Sequence, residues 1–372
     1  QRPRRIAPDR DHRRLHAERE SEHVREPRRR RVELAVLVGA PLKSASADAA
    51  REHLEELARL ADTAGAEIVG SIVQRLDHPE PRFYLGKGKV AELKTLAEEK
   101  EATLIVFDEE LSPAQGKNLE DELGRRIVDR AELILDIFAT RARTSEAKMQ
   151  VELAQLQYLL PRLTRMWAHL SRVRGGIGMR GPGETQLETD RRMINQRISR
   201  LKEDLERVAR QRETQRKGRD AIFKAALVGY TNAGKSSLLR SLSGSDAFVE
   251  DRLFATVDAA TRMVDLGEGY EALVTDTVGF IRKLPHHLVA SFRATLEETL
   301  NADLLLHVID ISHPMWEEQK DVVDDVLEDL GLAERPQVLV FNKVDRLTHE
   351  EEEIWKQRAS TLFTRPTVKG AP

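Results

Sequence analysis

The sequence has 372 residues, 40% hydrophobic, 33% charged and 5% aromatic, a length that buries a sizeable core and suggests two or three domains. Its 60 Lys+Arg against 63 Asp+Glu give a formal net charge of −3, which excludes a wholly cationic nucleic-acid binder but leaves local basic patches open. The absence of Cys excludes a disulfide scaffold, a thiolate zinc site and a cysteine nucleophile. No apolar run approaches the ~20 residues that span a bilayer, and no apolar leader is present, so a cytoplasmic protein is expected. The chain starts at Gln1 rather than Met, and is read as a fragment or processed form.

Residues 1–31 are rich in Arg and poor in anything to bury, which predicts a disordered basic arm. Residues 32–143 alternate apolar runs with amphipathic stretches and predict a small α/β domain with a mostly parallel sheet. Its strands are expected at Val32–Val38, Ala66–Gln74 and Thr103–Phe107, with a further apolar run at Leu133–Phe138. Helices are expected at Asp48–Ala64, capped by Gly65, at Val90–Lys100, and from Ser112. Asp108, Glu109 and Glu110 read as a capping and surface cluster. Residues 144–216 predict a long antiparallel helical hairpin. Met149, Leu153, Leu156, Leu160, Leu163, Trp167 and Leu170 repeat at coiled-coil spacing, as do Leu187, Ile194, Ile198, Leu201, Leu205 and Val208 if Arg191 fills one seam position. A Gly-rich tip at 173–186 separates them, Pro161 kinks or interrupts the first helix, and Lys217-Gly218 is a hinge. Residues 221–372 carry a phosphate-loop pattern at Gly229–Ser236 and Asn342–Asp345 at the end of a later strand, and so predict a Ras-like P-loop GTPase domain.

That domain carries the chemistry. Gly229, Tyr230, Thr231, Asn232, Ala233, Gly234, Lys235 and Ser236 form a phosphate-loop pattern between an apolar strand and a helix start. Such a loop wraps phosphates in backbone N–H groups, with Lys235 reaching the β- and γ-phosphates and the Ser236 hydroxyl on Mg²⁺. Asn342, Lys343, Val344 and Asp345 follow a strand; the Asp345 carboxylate can accept both N1–H and the exocyclic amine of guanine, which favours GTP over ATP. Asp276, Thr277, Val278 and Gly279 supply the Mg²⁺ shell through Asp276 and a γ-phosphate contact through the Gly279 N–H. Phe254, Ala255, Thr256, Val257 and Asp258 form a switch segment, with Thr256 as second Mg²⁺ ligand and Thr261 as its competitor. The catalytic set is therefore Lys235, Thr256 and Gly279, and the metal set Ser236 and Thr256. Ras-like enzymes orient the attacking water with a Gln where this chain has Phe280. Phe280 is either a departure with mechanistic meaning or a simple core residue; on both readings free turnover is slow. Gly86-Lys87-Gly88-Lys89 fits a second phosphate loop or a tight turn equally well.

With these motifs placed, the chain resembles the HflX family of ribosome-associated GTPases over residues 32–358. The specific parts are Arg82–Lys89, Arg143–Lys148, Gln150–Leu156 and Gly181–Glu188. The resemblance implies a monomeric GTPase that binds GTP/GDP with Mg²⁺, contacts the large ribosomal subunit and its rRNA, is stimulated there, and separates stalled or idle ribosomes into subunits. It also implies that the hairpin tip reaches toward the peptidyl transferase region. Arg162, Arg165, His169, Arg172, Arg174 and Arg180 crowd that tip, and Arg172, Arg174 and Arg180 are the expected RNA contacts. The alternative is a GTP-dependent binding module in which hydrolysis is incidental. The end of the chain departs from the family: residues 362–372 offer no Ser-Ala loop beside the base, so the last strand and helix of the G domain are expected to be missing.

Overall fold

The residues described by the computed structural model are 32–166, 182–216, 222–244, 252–284 and 299–362. The first domain is built on strands β1 (Glu33–Gly39), β2 (Ala66–Val73), β3 (Leu104–Phe107) and β4 (Arg126–Asp129), all parallel, in the order β2-β1-β3-β4. Strand alternation sends Val36, Val38, Ile105 and Phe107 to one face and Ala35, Leu37, Leu104 and Val106 to the other. Both faces are covered by helices, which is why β1 and β3 read as unbroken apolar runs. Helices α2 (Lys87–Glu99) and α3 (Pro113–Leu123) close the first face; α1 (Ala47–Ala64) and α4 (Arg130–Arg141) close the second.

Local chemistry sets the helix ends. The Ser46 hydroxyl accepts the Ala49 N–H at 3.0 Å at the start of α1, and Gly65, at φ 91°, ends it in the left-handed region. Ser112 and Gln115 form a capping box ahead of α3, with Pro113 in its first turn. The apolar run Leu133–Phe138 lies inside α4, and the fourth strand is the short segment before it. Asp129 ends that strand and caps α4 by accepting the Glu132 N–H at 2.9 Å. Burial of α4 on nearly all sides erases the helical periodicity that would have marked it.

The hairpin follows as α5 (Ser145–Met166) and α6 (Pro182–Arg216). Glu152 pairs with Arg197 at 2.6 Å, and the earlier Glu146 pairs with the later Arg212 at 2.6 Å, so the helices are antiparallel. Leu153, Ile198 and Leu201 are buried between them, flanked by Met149, Leu156, Leu160, Ile194 and Leu205. Arg191 is exposed rather than in the seam. Two boundaries differ from expectation. Helix α6 starts at Pro182, inside the span expected as tip, because Pro is well placed in a first turn. Helix α5 runs through Pro161, and Arg162 braces it: its guanidinium donates to the Tyr158 and Leu111 carbonyls at 3.1 and 2.9 Å and pairs with Asp129 at 3.0 Å. Arg162 therefore anchors the hairpin to the first domain and does not belong to the tip cluster. Residues 167–181 and 217–221, with Arg172, Arg174, Arg180 and the expected hinge, lie outside the described residues.

The second sheet has the order β6-β7-β5-β8-β9, from β5 (Phe223–Gly229), β6 (Ala260–Gly267), β7 (Tyr270–Asp276), β8 (Leu304–Asp310) and β9 (Gln337–Asn342). Among its described strands only the edge strand β6 is antiparallel. Helices α7 (Lys235–Ser243), α8 (Trp316–Asp329) and α9 (His349–Leu362) accompany it. Among the described residues no sixth strand is present, and residues 363–372 lie outside them. One apolar core joins the two sheets: Leu57, Leu60, Ile134 and Phe138 share it with Ala226, Val228, Tyr230, Phe254, Phe280 and Ile281. No helix among the described residues is long and apolar enough to cross a membrane.

Candidate nucleotide site

The loop between β5 and α7 lies at the carboxyl end of a central parallel strand, where open α/β sheets bind ligands. Gly229 at φ 147° packs directly on the backbone of Val308, and Gly234 at φ 101° packs on Asn342; neither position has room for a side chain. Asn232 is held at φ 61° between them. The Asn342 amide donates to the Ala233 carbonyl at 2.8 Å, so the residue expected beside the base braces the phosphate loop. The loop is tied on its other side to the segment after β7, with Thr231 N–H to Phe280 O at 2.7 Å and Phe280 N–H to Gly229 O at 3.1 Å.

Lys235 is buried, and its ammonium donates to the Gly229 and Tyr230 carbonyls at 3.0 and 2.8 Å. Burial lowers its pKa to about 8, against the pull of the Asp276 carboxylate. Around its neighbour Ser236, three oxygens converge. The Ser236 hydroxyl lies 2.6 Å from Asp276 Oδ2 and 2.8 Å from the Thr256 hydroxyl, which is itself 2.9 Å from Asp276 Oδ2. Asp276 Oδ1 is buried with no hydrogen-bond partner. Thr261 is elsewhere: its hydroxyl pairs with that of Thr275 at 2.9 Å across the β6–β7 ladder. A side chain at Gly279 would come within 2.6 Å of Thr231 Cα and 2.9 Å of Lys235 Nζ, so only bare backbone fits over the loop there. A small cleft lined by Asn232, Lys235, Ser236, Arg252, Thr256 and Gly279 remains open above it.

Several expected site residues spend their side chains on the fold. The Tyr230 hydroxyl donates to Glu56 at 2.5 Å, and the Thr277 hydroxyl donates to the Leu227 carbonyl at 2.6 Å. Phe254, Val257 and Val278 are buried in the shared core, so only their backbone is left for a ligand. Phe280 is there too, at 2% exposure. The segment Lys343–Asp345 is braced by an ion pair, Lys343 Nζ to Asp310 at 2.6 Å, which leaves Asp345 exposed just past β9. A cavity of about 620 Å³ lies away from this site, between α3, β4, α4 and α5. Carboxylates from Glu120, Asp129, Glu132 and Glu152 face it, and no phosphate-binding loop does.

Comparison with known proteins agrees with the geometry. Residues 51–139 match the family described as GTP-binding GTPase N-terminal, residues 141–219 the GTP-binding GTPase middle region, and residues 224–343 the 50S ribosome-binding GTPase family. A GTPase HflX of Flavobacterium psychrophilum is 48% identical over 335 residues, which is 89% of this chain and 81% of that protein. The chain belongs to the HflX family of GTPases. HflX proteins of Caldanaerobacter subterraneus (54% identical, 80% of this chain and 70% of that protein) and Escherichia coli (48%, 82% and 72%) are similarly related. Among solved structures, SsGBP in its complex with GDP is similar at a TM-score of 0.51 and 25% identity, over 90% of each chain.

Two features of this HflX chain escaped the sequence. Asp108 is not a surface residue: it is 3% exposed and pairs with Arg130 at 2.7 Å, Arg282 at 3.2 Å and Lys283 at 2.9 Å. Glu56 joins the same cluster through Arg130 and Tyr230, so the first domain grips both the phosphate loop and the segment after Gly279. Gly86-Lys87-Gly88-Lys89 forms the start of α2: the Gly86 N–H donates to Gln74 at 3.1 Å and Lys89 pairs with Glu92 at 2.7 Å.

Proposed function

We propose that this chain is a Mg²⁺-dependent GTP hydrolase, acting as a cytoplasmic monomer, whose cycle governs attachment to the large ribosomal subunit and separation of ribosomes into subunits. The observation that carries the chemistry is the unpartnered Asp276 Oδ1 beside the Ser236 and Thr256 hydroxyls at the foot of the phosphate loop. Hard oxygen donors of this kind suit Mg²⁺. Ser236 and Thr256 would ligate the ion and Asp276 would hold its water shell, and the chemistry the ion would supply there is positive charge against the bound phosphates. Lys235 would leave its loop carbonyls for the same oxygens, and the Gly279 N–H would bond the γ-phosphate. Asp345 would select guanine through its two donors.

Phe280, packed in the core, offers nothing to orient a water, which supports slow turnover until the ribosome completes the site. The same burial favours the second reading, a GTP-dependent binding module with incidental hydrolysis. Single-turnover hydrolysis with and without ribosomal subunits distinguishes them: strong stimulation by the large subunit supports the enzyme, and its absence the module. Support for the ribosome as partner comes from the family description of residues 224–343 and from the arginines around the hairpin's Gly-rich segment. Replacing Arg172, Arg174 and Arg180 with Ala should weaken subunit binding in sedimentation, most at low salt, and make it less salt-dependent, while leaving GTP affinity unchanged. Normal subunit binding and normal splitting by that variant would remove the tip from the mechanism.

A further inference from the structure

Asp258 lies two residues beyond Thr256, yet its carboxylate reaches a different part of the molecule. Oδ2 accepts the Arg143 N–H at 2.9 Å and the Thr144 N–H at 3.4 Å, and Oδ1 accepts the Thr144 hydroxyl. The same hydroxyl accepts the Ala147 N–H at 3.1 Å, and the Thr144 carbonyl accepts the Lys148 N–H at 3.1 Å, so Thr144 caps the first turn of α5. The Asp258 charge therefore rests at the positive end of a 22-residue helix, the first arm of the hairpin. On the other side of Thr256, the Phe254 N–H donates to the Thr231 hydroxyl at 2.9 Å. Its ring meets Phe138 of α4 edge to face, with centroids 4.6 Å apart at 84°. Phe254 keeps φ at 54°, a conformation that a bulky residue adopts only where its surroundings enforce it. Thr256 is thus suspended between two anchors, both made with the first domain and the base of the hairpin.

We propose that Asp258 is a positioning residue: held by the Arg143-Thr144 start of α5, it presents Thr256 to the nucleotide site and couples the state of that site to the hairpin. The proposal rests on the GTP and Mg²⁺ reading above. A switch segment is called on when the γ-phosphate is present and is released without it. Loosening Asp258 therefore weakens triphosphate binding and spares diphosphate. By linkage, triphosphate in turn tightens the Asp258 contact with α5. A carboxylate that merely capped the helix would change stability, and would alter both nucleotides alike.

The test uses the full chain and five proteins: wild type, Asp258→Ala, Thr144→Val, Thr144→Ser and the double variant Asp258→Ala/Thr144→Val. Affinities for GDP and a non-hydrolysable GTP analogue are read by fluorescence across a Mg²⁺ titration, alongside the melting temperature. Asp258→Ala and Thr144→Val should each weaken analogue binding about tenfold, the factor carried by one hydrogen bond to a charged group. Both should need more Mg²⁺ and keep wild-type GDP affinity; Thr144→Ser, which keeps the hydroxyl, should behave as wild type. The double variant Asp258→Ala/Thr144→Val should be no worse than the worse single, as expected for partners in one contact. Equal weakening of GDP and analogue, or an unaltered analogue affinity, overturns the coupling. If Asp258→Ala does not fold, the contrast between Thr144→Val and Thr144→Ser decides it from the helix side. A wild-type protein that binds no guanine nucleotide rejects the reading of the site itself, and is distinguishable because the wild type fails before any variant is compared.

Discussion

Lys235 is where a single residue carries a testable titration. Its pKa of about 8 lies below the ordinary 10.5, because burial disfavours the ammonium more than Asp276 supports it. Between those values the unfolded chain holds more protons than the folded one, so nucleotide-free stability should rise with pH from about 8 to 10.5. Phosphate oxygens would restore the charge. At a pH of about 9, triphosphate binding should therefore take up a proton, visible as binding heats that differ between buffers of different ionisation enthalpy. Lys235→Met should abolish that uptake along with tight binding. Asp345→Asn should move base preference from guanine toward xanthine, whose exocyclic carbonyl can accept from the new amide. Competition of XTP against GTP reads the change, and equal affinity of the wild type for ATP and GTP contradicts the assignment. Thr256→Ala should impair the response to the γ-phosphate, whereas Thr261→Ala, whose hydroxyl is spent on Thr275, should not.

At the scale of elements, the hairpin seam and the phosphate loop are packed independently. Leu201 is 1% exposed between Leu153 and Ile198, so Leu201→Ala should destabilise by about 2–5 kcal/mol, the range for emptying a buried leucine site. Chemical denaturation checks the loss, and guanine-nucleotide affinity should be unchanged because the seam touches no part of the loop. The seam was legible because a heptad repeat is a local property of one chain segment. Helix α4 was not. Ala131, Leu133, Ile134, Leu135, Ile137 and Phe138 are all buried, and with only Glu132 and Asp136 half-buried among them the polar stripe is too thin to announce the helical period. Pro161 misled in the opposite direction: tertiary contacts of Arg162 with Leu111 and Asp129 keep the helix running where the isolated segment would stop.

For the whole molecule, the decisive feature is the buried ion cluster of Glu56, Asp108, Arg130 and Arg282 between the two sheets, with the more exposed Lys283 at its edge. Burial alone would raise the Glu56 and Asp108 carboxyls, but the Arg130 and Arg282 guanidinium groups outweigh it and hold both below their ordinary values. Carboxyls depressed in this way contribute stability that is complete above their unfolded values of 4.5 and 3.8, and it is lost as pH falls through the lower folded ones. Arg130→Ala leaves two buried carboxylates short of their main partner and should destabilise by about 3–5 kcal/mol. It should also move the acid-unfolding midpoint to higher pH. An acid midpoint unchanged from wild type would show that the cluster does not hold the domains together.

What the sequence determined by itself was whatever a short stretch of chain dictates. A strand, two glycines, Lys235 and Ser236 impose a phosphate-wrapping turn because backbone conformation and helix polarity act over a few residues. The parallel sheets and the hairpin seam were legible for the same reason. Only the tertiary structure decided which groups meet across long separations. Asp108 is 22 residues from Arg130 and 174 from Arg282, and Asp258 is 114 from Thr144; nothing near any of them in sequence names the partner. Tyr230 is in the phosphate-loop motif, yet its hydroxyl belongs to Glu56 of another domain. A charged or aromatic side chain is compatible with surface, core or ligand until packing removes its water, and that removal is a property of the assembled domains rather than of any segment.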